Sequence, residues 1–107
     1  MFSHFMRNVI FIIFIVIVFF IYNNFLNMYF VYIIQSENYP KQLYTGFTEN
    51  ISIRINDHNE GKSVHTNKFK PWKLIYHCRF NDKKKALDFE AYLKTASGIA
   101  FRNKRLI

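Results

Sequence analysis

The segment Ile51-Ser-Ile-Arg-Ile-Asn-Asp-His places Ile51, Arg54, Ile55 and His58 at i, i+3, i+4 and i+7, one face of a helix. That face carries a planar, permanently charged guanidinium suited to phosphate and an imidazole able to move a proton near neutral pH. The plainer reading is that both side chains snorkel at the edge of a core. Downstream, Ala86, Phe89, Glu90 and Leu93 repeat the spacing and put a carboxylate inside an apolar stripe. A buried carboxylate needs a cation, a metal or a proton. Lys94, one turn on, or Arg54 across the core satisfies it as an ion pair; a hard divalent ion does so as well, since Mg²⁺ takes only one or two protein carboxylates beside phosphate and water. Tyr32 and Tyr44 lie in two apolar, β-rich segments and can face each other across a hairpin, although Tyr is an ordinary strand residue.

The elements that must position these groups follow from local pattern. Tyr29 to Gln35 is β-branched and aromatic, too short for a good helix, and reads as a strand. Asn38 and Pro40 mark a turn, and Leu43 to Phe47 reads as the second strand of a hairpin, with Gly46 permitting a bulge or a close backbone approach. Thr48 or Asn50 caps a helix of about ten residues that stops at Gly61. Lys62 to Pro71 is a polar, basic loop. Trp72 to Phe80 is a third strand, with Trp72, Leu74, Tyr76 and Cys78 expected on one face. Asp82 caps a second helix running to about Ala96, and Ser97-Gly98 opens a short basic terminal helix. The order ββαβαα predicts an α+β fold with a small, mostly antiparallel three-stranded sheet flanked by helices, preceded by an apolar N-terminal segment.

Charge divides the chain in two. Arg7 is the one charged side chain before Met28, so 14 of the 15 Lys+Arg and all 7 acids follow it, leaving that part at +7 of the total +8. A chain of 107 residues accommodates one small domain and excludes a multidomain enzyme. Its single cysteine, Cys78, excludes a disulfide framework and a Cys-based zinc site. The basic part suits a polyanionic partner.

Val9 to Tyr22 is apolar and free of charge, Gly and Pro. As a helix it spans about 21 Å, short of the ~30 Å hydrocarbon thickness of a bilayer. Residues 1–27 read either as a membrane anchor working through residues 9–22 or as an extension upstream of a start at Met28, in which case the protein is cytoplasmic; a cleaved signal peptide lacks a small-x-small site. Residues 28–107 form the domain.

Taken together, these residues resemble the GIY-YIG nuclease domain, in its small standalone, excinuclease-subunit-C-like branch. Phe30-Val31-Tyr32 stands where the family has GIY, and Tyr44-Thr45-Gly46 where it has YIG. The helix with Arg54 and His58-Asn59, the PWKLIYHCRF stretch, Glu90 and EAYLKTASG follow in the family's order over about Met28 to Leu106.

The resemblance implies metal-dependent hydrolysis of DNA phosphodiester bonds with one divalent ion, Mg²⁺ or Mn²⁺. It makes Glu90 the metal ligand and sets Tyr32 and Tyr44 beside the scissile phosphate, one of them activating or orienting the attacking water. Arg54 becomes the stabiliser of transition-state charge, and His58 the assistant in proton transfer. Lys62, Lys68, Lys70 and Lys94 are the expected contacts to the nucleic-acid backbone. Phe30 replaces the first glycine and Thr45 the middle of YIG, neither of which supplies a reacting group, while Phe47 removes a basic residue that some relatives carry after YIG. With no second DNA-binding domain, sequence preference is expected to be weak, and a role in DNA repair or recombination follows by analogy. A catalytically inactive nucleic-acid-binding module and a membrane-associated basic protein are the competing readings.

Overall fold

The computed structural model describes residues 4–26 and 28–107, with side chains described over 6–22 and 28–107. Residues 1–3 and 27 of the apolar segment therefore lie outside the described residues. Helix α1 (His4–Leu26) is followed by β1 (Tyr29–Ser36), β2 (Leu43–Thr48), α2 (Ile51–Asn59), a 3₁₀ turn (Asn67–Phe69), β3 (Trp72–Phe80), α3 (Lys83–Leu93) and α4 (Ala96–Arg105). The expected α+β order holds.

The sheet is antiparallel throughout, in the order β2-β1-β3. β1 is therefore central and buried on both faces. Successive side chains of a strand alternate faces, and on β1 this sorts two clusters. Val31 packs with Ala86 and Leu93 against α3, joined by Phe47, Cys78, Phe80, Phe89 and Leu106. Tyr32 and Ile34 pack with Trp72 on the α2 face, joined by Tyr44, Ile51, Ile55, Phe69 and Leu74.

β3 departs from the expected single apolar face. Ile33 pairs with Tyr76 but Ile34 pairs with Leu74, so Ile75 is an extra residue in the ladder. The irregularity shifts the alternation by one: Trp72 and Leu74 join the α2 cluster, while Cys78 and Phe80 join the α3 cluster. One strand thereby contributes large side chains to both faces of the sheet.

Helix ends follow capping chemistry. Asn50, at the cap of α2, accepts the Ile53 backbone N–H through its side chain (3.0 Å), and Asp82 does the same for Lys85 at α3 (3.1 Å). Gly61, at φ +78°, ends α2 in a left-handed conformation that disfavours a side chain. The second long helix is shorter than expected. It stops at Leu93, and Thr95 caps a new helix by accepting the Gly98 N–H (3.1 Å).

The side chains of α1 from Ile10 to Tyr22 are exposed on every side of the helix. Among the described residues no helix is long and apolar enough to cross a membrane, in line with the 21 Å reach of the charge-free run, so the anchor reading gains no spanning helix.

Candidate active site

The hairpin brings the first two groups to one face. Tyr32 pairs with Gly46, and Tyr44 pairs with Ile34. The two tyrosines are therefore diagonal neighbours, with ring centroids 6.4 Å apart, rather than directly opposed. Gly46 is opposite Tyr32 for a steric reason: a Cβ at this position would overlap the Tyr32 hydroxyl and ring. The glycine of the second motif thus leaves room for the phenol of the first.

α2 lays its Arg54–His58 face across these rings. His58 is fully buried, with Nε2 2.7 Å from the Tyr32 hydroxyl and its ring 5.2 Å from that of Tyr44, edge to face. Arg54 Nε–H donates to the same hydroxyl at 3.3 Å. On its far side His58 Nδ1 lies 2.6 Å from Thr66 Oγ1. The result is a continuous chain, Arg54–Tyr32–His58–Thr66, running from a half-buried cation to a sealed threonine.

The basic loop is less loose than its composition suggests. Thr66 is fully buried, and its carbonyl accepts Trp72 Nε1–H at 2.8 Å. Asn59 clamps the end of α2 to the start of β3: its Nδ2–H donates to the Trp72 carbonyl (3.1 Å) and its Oδ1 accepts the Trp72 N–H (2.6 Å). Ser36 Oγ–H donates to the Phe69 carbonyl at 2.6 Å. Thr66 did not stand out in the sequence, because a polar residue in a polar loop carries no periodicity.

Burial sets the protonation states. It pushes the Tyr32 phenol up to about 12 against the pull of Arg54, so Tyr32 is protonated at neutral pH. Burial, helped by the Arg54 charge, holds His58 down at about 4, so the imidazole is neutral. Arg54 is raised, chiefly by its hydrogen bond to Tyr32, and keeps its charge throughout.

Glu90 lies on the Tyr44 side. Its carboxylate is largely buried and forms an ion pair with Lys94, whose Nζ is 5.7 Å from the centre of the Tyr44 ring. The helix partner thus fills the cation's place at the one carboxylate in the apolar stripe. The donor set fits a hard divalent ion, which takes oxygen ligands from a single carboxylate, waters and substrate phosphate. Among the described residues no group of three or more His, Cys, Asp or Glu side chains forms a closed cage.

The remaining lysines are dispersed. Lys62 pairs with Glu60 (3.1 Å) and Asp57 (3.6 Å), Lys70 donates to Asn67 Oδ1 (2.9 Å), and Lys68 lies over the Phe69 ring. An open groove of about 450 Å³ begins at Arg54 and is walled by Phe47, Ile53, Asp57 and Lys83.

A family model described as the GIY-YIG catalytic domain matches residues 28–104, well over half of the chain. The chain belongs to the GIY-YIG family. This GIY-YIG domain is similar to a UPF0213 protein of Staphylococcus haemolyticus, 37% identical over 70 residues, covering 64% of this chain and 83% of the relative. A UPF0213 protein of Clostridium perfringens is 36% identical over 80 residues, covering 74% and 80% of the two chains. One from Streptococcus agalactiae reaches 43% over 53 residues, covering 49% and 60%. The solution NMR structure of a UPF0213 protein from Bacillus halodurans aligns with a TM-score of 0.45 and 25% identity, covering 72% of this chain and 83% of that one. GIY-YIG domains are a nuclease family, and that sets the reaction class; the UPF0213 names specify no substrate.

Proposed function

We propose that this GIY-YIG domain is an endonuclease that hydrolyses DNA phosphodiester bonds with Mg²⁺ or Mn²⁺. The observation that carries the reading is the unbroken Arg54–Tyr32–His58–Thr66 hydrogen-bond chain, built of buried polar groups behind Arg54, which lines an open groove. Buried polar groups are costly unless they serve one another or a ligand.

Hydrolysis adds a water oxygen to phosphorus and breaks one P–O ester bond, leaving a phosphate monoester and a free hydroxyl. Arg54 meets the charge that accumulates on the phosphate oxygens. Tyr32, protonated at neutral pH, donates its hydroxyl hydrogen to the phosphate. His58 is sealed from solvent and reaches the reacting centre only through Tyr32. Tyr44, half-buried on the same face, orients the attacking water. Glu90 would hold the divalent ion, which supplies Lewis-acid polarisation of the phosphate when bound. Lys83 in the groove, with Lys62, Lys68, Lys70 and Lys94, gives the nucleic-acid backbone its sequence-independent attraction, so base preference is weak. A place in DNA repair or recombination is part of the same proposal.

The test is nicking of supercoiled plasmid by the full chain with Mg²⁺ or Mn²⁺. Glu90→Ala and Arg54→Ala are expected to lose at least about a hundredfold in rate. Salt-sensitive DNA binding with no cleavage under either ion would mark an inactive binding module instead.

A further inference from the structure

The open groove at Arg54 is unlike a seat for a run of phosphates. Asn50, Ile53, Arg54 and Asp57 fall at i, i+3, i+4 and i+7 and form one wall along α2; Phe47 at the end of β2, Glu49 in the turn that follows and Lys83 at the start of α3 complete it. Two cations, Arg54 and Lys83, are matched there by two carboxylates, Glu49 and Asp57. Asp57 has Lys62 at 3.6 Å, but Glu49 forms no ion pair among the described residues. A duplex carries a phosphate charge about every 1.7 Å of its axis, and a backbone laid through the groove meets both carboxylates. Like charges brought together in this way oppose binding.

The rest of the wall is apolar. Ile53 is 61% exposed. Phe47 is half-buried and held in place, its ring stacked on that of Tyr29 with centroids 6.2 Å apart and planes within 15°. A lone exposed isoleucine is ordinary. One that shares a concave wall with a braced aromatic ring, beside a guanidinium, is a surface for a flat ligand attached to an anion. The groove's volume of about 450 Å³ suits a small molecule, whose pockets run from roughly 300 to 1,000 Å³. Hydrogen-bonding groups are available as well. Asn50 Oδ1 is committed to the Ile53 N–H, which leaves its Nδ2–H groups to donate, while the carboxylates accept.

We propose that the groove takes one unpaired nucleobase of the cleaved strand, stacked against Ile53 and Phe47, with the adjoining phosphate at Arg54 and Lys83. Glu49 and Asp57 accept N–H groups from the base edge, and Asn50 donates to a base acceptor. Every base offers both kinds of group once unpaired, so the groove selects for an unpaired strand and not for sequence. A base inside a duplex is stacked and paired and does not reach such a wall. The preferred substrate is therefore DNA that is unpaired beside the cut. That the strand is cleaved rests on the nuclease reading above; the groove's choice of ligand does not require cleavage.

The deciding measurement follows the Ile53 δ1 methyl by ¹³C–¹H NMR in the full chain, free of divalent metal, as a short single-stranded oligonucleotide or its duplex is added. A base stacked on the methyl moves its signal upfield. The expected titration shows that shift with the single strand and none with the duplex. By fluorescence anisotropy the single strand should bind about tenfold more tightly than the duplex. Ile53→Ala should lower its affinity about fivefold with the salt dependence unchanged, since no phosphate contact is lost. An Ile53 methyl that stays in place at saturating single strand overturns the proposal, as does duplex binding as tight as the single strand's or an equal loss on both from Ile53→Ala. With Mg²⁺ or Mn²⁺ added, cutting by a chain whose Ile53 methyl never moved keeps the nuclease reading and removes the base site. The expected shift in a chain that cuts no DNA upholds the base site and removes the nuclease reading.

Discussion

The two faces of β1 are built from neighbouring residues and solve opposite problems. On the α3 face Val31 meets Ala86 and Leu93 in an apolar cluster. On the α2 face, one residue along, Tyr32 meets a guanidinium and a buried imidazole that is bonded in turn to a buried threonine. The first face gains from removing apolar surface from water. The second maintains a polar network in low dielectric, where satisfied bonds are strong and a broken one is expensive. Stability and chemistry are thereby divided between the two sides of one strand, and substitutions should separate them.

The largest separation is expected from Leu93→Ala on the α3 face. It should cost about 3 kcal/mol in urea unfolding while leaving the cleavage rate of the remaining folded protein unchanged. A large fall in turnover of the folded fraction would show that the faces are coupled.

Acid should expose the other face by a comparable amount. His58 titrates near 4 in the folded chain and near 6.5 when unfolded, so between these values the unfolded state binds more protons. Its contribution is complete above pH 6.5 and is lost as pH falls toward 4, about 3 kcal/mol in all. Urea midpoints followed against pH should show this slope, and His58→Gln should flatten it.

Gly46→Ala should act on the α2 face alone. Its Cβ displaces the Tyr32 phenol, so cleavage should fall about a hundredfold, with a loss near 2 kcal/mol in stability. An active Gly46→Ala protein would remove Tyr32 from the site.

The smallest effect belongs to Lys94→Ala, at the border of the faces. An ion pair of this i,i+4 kind contributes about 0.4 kcal/mol, so freeing Glu90 should raise Mn²⁺ affinity about twofold by calorimetry. Weaker binding would instead make Lys94 a supporter of the site.

Much of this division was legible in the residues. The 3.6-residue spacing of Ile51, Arg54, Ile55 and His58, and of Ala86, Phe89, Glu90 and Leu93, set two helices with polar groups in their packing faces, and the structure has both. The cap Asp82 was readable because a short polar side chain before a periodic run has one favourable use, while for α2 the structure chose Asn50 over Thr48. The break in β3 was not, since a strand with one extra residue has the same composition as a regular one. Glu90 had two candidate partners in the sequence, and only coordinates chose Lys94 over Arg54.

The sequence by itself determined the element order, the charge divided at Met28 and five candidate groups, Tyr32, Tyr44, Arg54, His58 and Glu90. These depend on neighbours within a turn or two of chain, where spacing fixes direction. Tertiary structure alone decided that Tyr32 and Tyr44 are diagonal, that Gly46 accommodates the phenol, and that Thr66 closes the chain behind His58. Those contacts join residues from separate elements, and which hydroxyl meets which nitrogen follows from how the elements pack.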